Sequence, residues 1–189
     1  MPLKIKIPKQ EGFNEETEMF YETEKEYELV LEHSLVSISK WESKWHIPYL
    51  KEDSKKTTEQ VIDYLRCMTI SPKEVPDEVY SLIPASELEK ITNYINDPMT
   101  ATTIRMVTEK PSGKHETLSS ELLYYYMFEA GIPKDCEKWH INRLLTLIKI
   151  YGIKREEQNP DRKKLSRSEL VARNRDINAK NRKRFNSKG

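Results

Sequence analysis

Tyr27-Glu28-Leu29-Val30-Leu31 runs through Glu32 and His33 into Ser34-Leu35-Val36-Ser37-Ile38-Ser39-Lys40-Trp41-Glu42-Ser43-Lys44-Trp45, and the hydrophobic period changes on the way. In the first five residues Tyr27, Leu29 and Leu31 alternate with Glu28 and Val30, the period of two that turns one face of a strand toward a core. After His33 the large apolar side chains fall at Leu35, Ile38, Trp41 and Trp45, three or four apart, which gathers them on one helical face. Ser34 stands where a cap belongs, and Pro48 stops the run. A strand feeding a helix predicts an α+β chain. Working outward, Leu3, Ile5 and Ile7 alternate with Lys4 and Lys6, so residues 3–7 and 27–31 predict a long hairpin. Its connection, Pro8 to Lys25, is acidic and reads as a solvated loop whose Phe20 and Tyr21 can dock back.

Beyond Pro48 the period stays helical. Thr57 and Gln60 form a capping box ahead of Val61, Ile62, Leu65 and Met68, ended by Ser71-Pro72. Pro76 in a first turn introduces Val79, Leu82 and Ile83, and Ser86 with Glu89 forms a second box before Leu88, Ile91 and Ile95, closed at Asp97-Pro98. Thr100 to Val107 is Thr-rich and β-branched, with a Pro-Ser-Gly turn at 111–113, so it reads as a short strand or an ordered crossover. Leu118, Leu122, Tyr125, Tyr126 and Met127 end at Gly131. Cys136, Trp139, His140, Leu144, Leu147, Ile148 and Tyr151 end at Gly152. These predict an αα-hairpin with a glycine just past each helix. The sum is a mainly helical α+β body, residues 1–153, with an N-terminal β-hairpin packed on five or six helices.

Composition limits what such a body can do. The chain has 189 residues, 37% apolar and 33% charged, with 5 Gly and 2 Cys. That suits one domain with a solvated extension. No GxGxxG or GxxxxGK[ST] phosphate loop is present, and Cys67 and Cys136 are too far apart in sequence for a CxxC, so they read as buried thiols in a reducing cytosol. No stretch reaches the 18 or so apolar residues that span a bilayer. The net charge of +1 hides a split. Residues 154–189 carry 13 Lys and Arg against 5 Asp and Glu, net +8, whereas residues 1–153 carry 19 against 26, net −7. A basic arm therefore follows a mildly acidic body. The arm holds one capping box, Ser166 to Glu169, and too few apolar residues, Leu170, Val171, Ile177 and Phe185, to form a helix without a partner.

Candidate chemistry is sparse. Cys136 and His140 form an i, i+4 pair on one helical face, but two ligands do not make a metal site, and no GxSxG or Cys–His signature marks a nucleophile. No enzyme activity, metal or cofactor is expected. Binding is better supplied. Trp41, Trp45 and the Tyr124-Tyr125-Tyr126 run could form an aromatic contact surface, since Trp and Tyr dominate interface hot spots; the alternative is core packing. Three consecutive tyrosines point in three directions around a helix, so one must leave the core face, and Tyr124 is the candidate. In the arm, Arg173, Arg175, Arg182 and Arg184 suit an acidic protein partner, a nucleic acid backbone, or nothing beyond solvent. Phe185 is the arm's one aromatic, which disfavours single-strand stacking.

Three strings together resemble a known family: Leu31-Glu32-His33-Ser34-Leu35 running on to Trp41-Glu42-Ser43-Lys44-Trp45; Ile95-Asn96-Asp97-Pro98-Met99-Thr100-Ala101-Thr102-Thr103; and Lys138-Trp139-His140-Ile141-Asn142-Arg143-Leu144-Leu145-Thr146-Leu147-Ile148. They are similar to the tail assembly chaperones of long-tailed bacteriophages, and the basic close from Ser168 to Gly189 looks like that family's ending. The resemblance implies a non-enzymatic protein of the host bacterial cytoplasm that binds the tape measure protein, with major tail protein subunits as a second implied partner, and that is absent from the mature virion. The family is often made in two forms by a ribosomal frameshift, so a longer form of the same chain is a further implied partner. Two other classes stay open, a head-to-tail connector or tail component retained in the virion, and a nucleic-acid binder acting through the arm.

Overall fold

A computed structural model describes residues 2–9, 11–14, 19–22, 25–51, 55–104, 117–158 and 175. The chain divides into two compact units, Met1–Tyr151 and Gly152–Gly189. The fold is α+β and mainly α.

Alternation at the two ends of the N-terminal excursion produces the expected ladder. Strand β1 (Leu3–Ile7) pairs antiparallel with β4 (Tyr27–Leu31) in the register Leu3↔Leu31, Ile5↔Leu29, Ile7↔Tyr27. Ile5, Ile7, Leu29 and Leu31 are all buried, while Lys4 faces Glu28 at 3.4 Å on the wet side. Burying each such aliphatic side chain is worth roughly 1.5–3 kcal/mol, so one slip of register, which would exchange the two faces, is strongly opposed.

The connection between these strands departs from the solvated loop expected of it. Glu11–Asn14 (β2) and Met19–Glu22 (β3) form a second antiparallel pair, with Phe13 opposite Phe20 and Gly12 opposite Tyr21. The composition predicts a solvated loop, yet the two halves of the connection pair backbone to backbone. Whether Phe20 and Tyr21 dock back falls outside what is described of their side chains.

Helix α1 (Leu35–Trp45) starts at Ser34, whose backbone N–H donates to Ser37 Oγ at 2.9 Å. It ends at His46, in the left-handed region at φ 54°. Its stripe is core: Leu35, Ile38 and Trp41 are fully buried. Helix α2 (Thr58–Met68) carries the expected capping box, with Thr57 Oγ1 accepting from Gln60 N at 3.3 Å and Gln60 Oε1 accepting from Thr57 N at 2.9 Å. For the stretch after α2 the sequence predicts a stop at Ser71-Pro72 and nothing more. It is instead a short strand, β5 (Thr69–Ser71), on the free edge of β4, giving the sheet order β1-β4-β5. Three residues are too few to show alternation; the open edge of β4 decides the pairing.

Helix α3 (Asp77–Ser81) follows Pro76, which is its cap rather than its first residue. Helix α4 (Ala85–Asn96) starts after Pro84, so Ser86 lies inside the helix and the expected Ser86–Glu89 box is not the cap. A proline with extended ψ sets that start without a side-chain acceptor. Residues 98–104 contain no strand; residues 105–107 of the Thr-rich stretch, and the turn at 111–113, lie outside the described residues.

Helix α5 (Ser120–Glu129) is capped by Ser119, whose Oγ accepts from the Leu122 N–H at 3.4 Å, and it stops in the expected way. Gly131 has φ +65°, its N–H donates to Phe128 O at 3.0 Å, and Ile132 N–H donates to Met127 O at 2.9 Å. This crossed pair satisfies the last carbonyls, and buried Ile132 packs over the same turn. The helix expected from Cys136 onward begins later. Lys134–Lys138 is a 3-10 turn and helix α6 is Ile141–Gln158, so Cys136 and His140 do not share a helical face. His140 instead bridges to Ser34, and Ile141 N–H donates to His33 O at 2.9 Å. A tertiary contact thus interrupts the helix. At its other end α6 continues through Gly152, where the sequence predicted a stop.

Candidate interaction surface

The segments around His33, Tyr94 and His140 meet at one point. His33 ends the β4 segment, Tyr94 and Ile95 lie in the last turn of α4, and His140 and Asn142 stand at the start of α6. The two imidazole rings are 5.1 Å apart, nearly perpendicular, and Tyr94 crosses His140 at 4.9 Å. Asn142 N–H donates to His140 Nδ1 at 3.3 Å, so Nε2 carries the proton and donates to Tyr94 O at 2.9 Å. Asn142 Nδ2 donates to Ile95 O at 3.0 Å and Asp97 O at 2.8 Å. The Tyr64 hydroxyl meets His33 Nδ1 at 2.5 Å, and Tyr64 stacks on Tyr49 at 3.9 Å. Burial, with help from the neighbouring His140, holds His33 down at about 3; burial also lowers His140, against the opposing pull of the Tyr94 carbonyl and Asp97. Both rings are therefore neutral and act as fixed hydrogen-bonding struts. Burial pushes the Tyr64 and Tyr49 hydroxyls well up, so they stay protonated.

Next to this junction lie two buried carboxylates that sequence reasoning missed. Glu42, on α1, accepts the Tyr49 N–H at Oε1 and the Ser120 N–H at Oε2, each at 2.7 Å. Ser120 is the first residue of α5, so the carboxylate sits at a helix N-terminus, where a negative charge is favoured. Asp63, on α2, accepts Lys44 Nζ at 2.5 Å and Trp45 Nε1 at 2.9 Å, with Arg66 at 3.5 Å. Burial opposes its charge, but these partners outweigh that and hold the carboxyl below its ordinary value. A charged residue at a core-facing helical position was the signal: Asp63 falls between Ile62 and Leu65.

The aromatic candidates divide. Trp41 is fully buried and donates from Nε1 to Gln60 O at 2.9 Å, so it cannot meet a partner. Trp45 is half-buried, 6.3 Å from Trp41 and bonded to Asp63. Tyr124 does not leave the core as expected: it is half-buried, and its hydroxyl donates to Glu137 Oε2 at 3.0 Å. Burial and that carboxylate push Tyr124 up to about 12. The residue that leaves is Tyr125, 58% exposed, joined by Phe128 at the same value. The core-facing positions of α5 are Ser120, Leu123 and Met127; of the apolar residues expected inward, Met127 is buried, Leu122 and Tyr126 are half-buried and Tyr125 is exposed. In a helix apolar on every side the sequence does not say which side is inward; the docking of Ser120 on Glu42 does. Of the arm's arginines, Arg175 is helical and exposed, whereas Arg173, Arg182 and Arg184 lie outside the described residues.

One open groove of about 650 Å³ runs between α2 and α3, lined by Thr57, Glu59, Ile62, Arg66, Asp77 and Ser81 among others. Its cation is engaged, Arg66 Nε lying 3.1 Å from Asp77 and its terminal nitrogen near Asp63. Among the described residues no group of three or more His, Cys, Asp or Glu could hold a metal, and no helix is long and apolar enough to cross a membrane. The arrangement offers surfaces for binding. Comparison with models of protein families, with curated proteins and with solved structures finds no match to this chain.

Proposed function

We propose that this chain is a tail assembly chaperone of a long-tailed bacteriophage, which binds the tape measure protein, and major tail protein subunits beside it, while the tail is built, and transforms no substrate. One observation carries the proposal. His33 from the first string, Ile95 and Asp97 from the second, and His140 and Asn142 from the third join in one junction of ring contacts and hydrogen bonds, which supports reading the three strings as parts of one unit. Trp45 and Tyr124, both half-buried, and the arm's Arg173, Arg175, Arg182 and Arg184 are the proposed contacts. A long apolar helix of the partner would lie against the aromatic edge, and the arm's net charge of +8 would steer an acidic segment.

Co-expression with the tape measure protein of the same phage, followed by pull-down, tests this: the two co-purify, and mass spectrometry of finished particles does not find the chain. Recovery of the chain at fixed stoichiometry in virions would make it a tail component instead. The charge of the arm favours one second reading, nucleic acid binding, in which the full chain would bind phage DNA or RNA with an affinity that falls steeply with salt.

A further inference from the structure

Helix α5 is apolar on its outer side as well as its inner one, and a helix apolar all round is built to have neighbours all round. Glu121, Tyr125 and Phe128 stand at i, i+4 and i+7, a single strip, and all three are exposed. Helix α6 carries a strip of the same spacing, Arg143, Leu147 and Ile150, in which Arg143 is exposed and the two aliphatic residues are half-buried. One strip reads acid, aromatic, aromatic; the other reads base, aliphatic, aliphatic. The Arg143 guanidinium already lies 4.0 Å over the Trp139 ring, which leaves little conformational freedom to lose on pairing. Apart from residues flanking these strips, the charges agree: α5 carries only Glu121 and Glu129, and α6 up to Tyr151 carries only Arg143 and Lys149.

We infer that the occupant of the α5 strip is a second copy of this chain. In the resulting two-fold dimer α5 of each copy lies along α6 of the other, with Glu121 facing Arg143 and the Tyr125–Phe128 pair facing Leu147–Ile150. Equal spacing and opposite sign make the two strips complementary, and the two-fold axis generates the contact twice, as an isologous dimer requires. Two short strips make a small contact beside the roughly 800 Å² per partner of a standard interface, which puts the dimer among weak, transient ones. The inference stands independently of the chaperone reading.

Sedimentation of the full chain up to about 100 μM, a range that reaches weak self-association, tests it. The wild type sediments as a monomer–dimer equilibrium that weakens with salt. The pair Tyr125→Asp with Phe128→Asp is monomeric, with helical circular dichroism unchanged. Glu121→Arg and Arg143→Glu each raise the dimer dissociation constant about tenfold or more, and the double reversal restores it, because like charges at a contact repel. Since the double reversal depends on two folded, surface-substituted chains, it also guards against misfolding of the Asp pair. A wild type that stays monomeric, a dimer that survives the Asp pair, a double reversal no better than the singles, or a monomer that uses this strip for the tape measure protein would each overturn the inference.

Discussion

Acidification from pH 6.5 to about 5 should loosen this fold before any carboxylate is involved, because both buried histidines are neutral struts. His33 is held at about 3 in the folded chain against 6.5 unfolded, and His140 is shifted the same way. The groups facing them are Tyr49, Tyr64 and Tyr94, with Asp97 acting on His140, so among the described residues no carboxylate offsets the burial of His33. A histidine whose folded value is depressed leaves stability intact above the unfolded value and loses it as pH falls below 6.5, because the unfolded chain then binds the proton that the folded one refuses. At pH 5 the unfolded ring is almost fully charged and the folded one almost wholly neutral. His33 alone then costs about 1.6 kcal/mol more than at pH 6.5, and His140 adds in the same sense. For a chain of this size that lowers Tm by roughly 3–6 °C. Differential scanning calorimetry in buffers of equal ionic strength reads it directly. His33→Asn keeps an acceptor near Tyr64 but cannot titrate, so it should start less stable and show a flatter pH slope. A wild-type Tm constant over that range, or an unchanged slope in His33→Asn, would refute the reasoning.

Three other outcomes follow from the same geometry. Glu42→Gln replaces a charge that accepts two backbone N–H groups with an amide that can accept only one, and should cost about 1.5–3 kcal/mol in urea unfolding. The two glycines that the sequence places at helix ends should respond oppositely: Gly131→Ala costs about 1 kcal/mol, because φ +65° strains any Cβ even though nothing crowds it, whereas Gly152→Ala, inside α6 with open space around it, stabilises by about 0.5–1 kcal/mol. Trp41→Phe should lower stability by about 1–3 kcal/mol through the orphaned Gln60 carbonyl and lost volume, yet leave partner capture intact at temperatures where it is folded, since the ring is fully buried.

The sequence by itself determined the local structure wherever a period ran long enough to fix a buried face. Alternation at 3–7 and 27–31 paired those strands in register, and Leu35, Ile38 and Trp41 set the inner side of α1. The Thr57–Gln60 box and Gly131 ended their helices from within, because capping uses only neighbouring backbone groups. Only the tertiary structure decided what depended on distant partners. β5 exists because β4 has an open edge, α6 starts at Ile141 because His33 claims its first N–H, and Glu42 turns α5 so that Tyr125 rather than Tyr124 faces outward. Local period specifies which face a segment buries; when a segment is apolar on all faces, or is only three residues long, the choice passes to whatever packs against it.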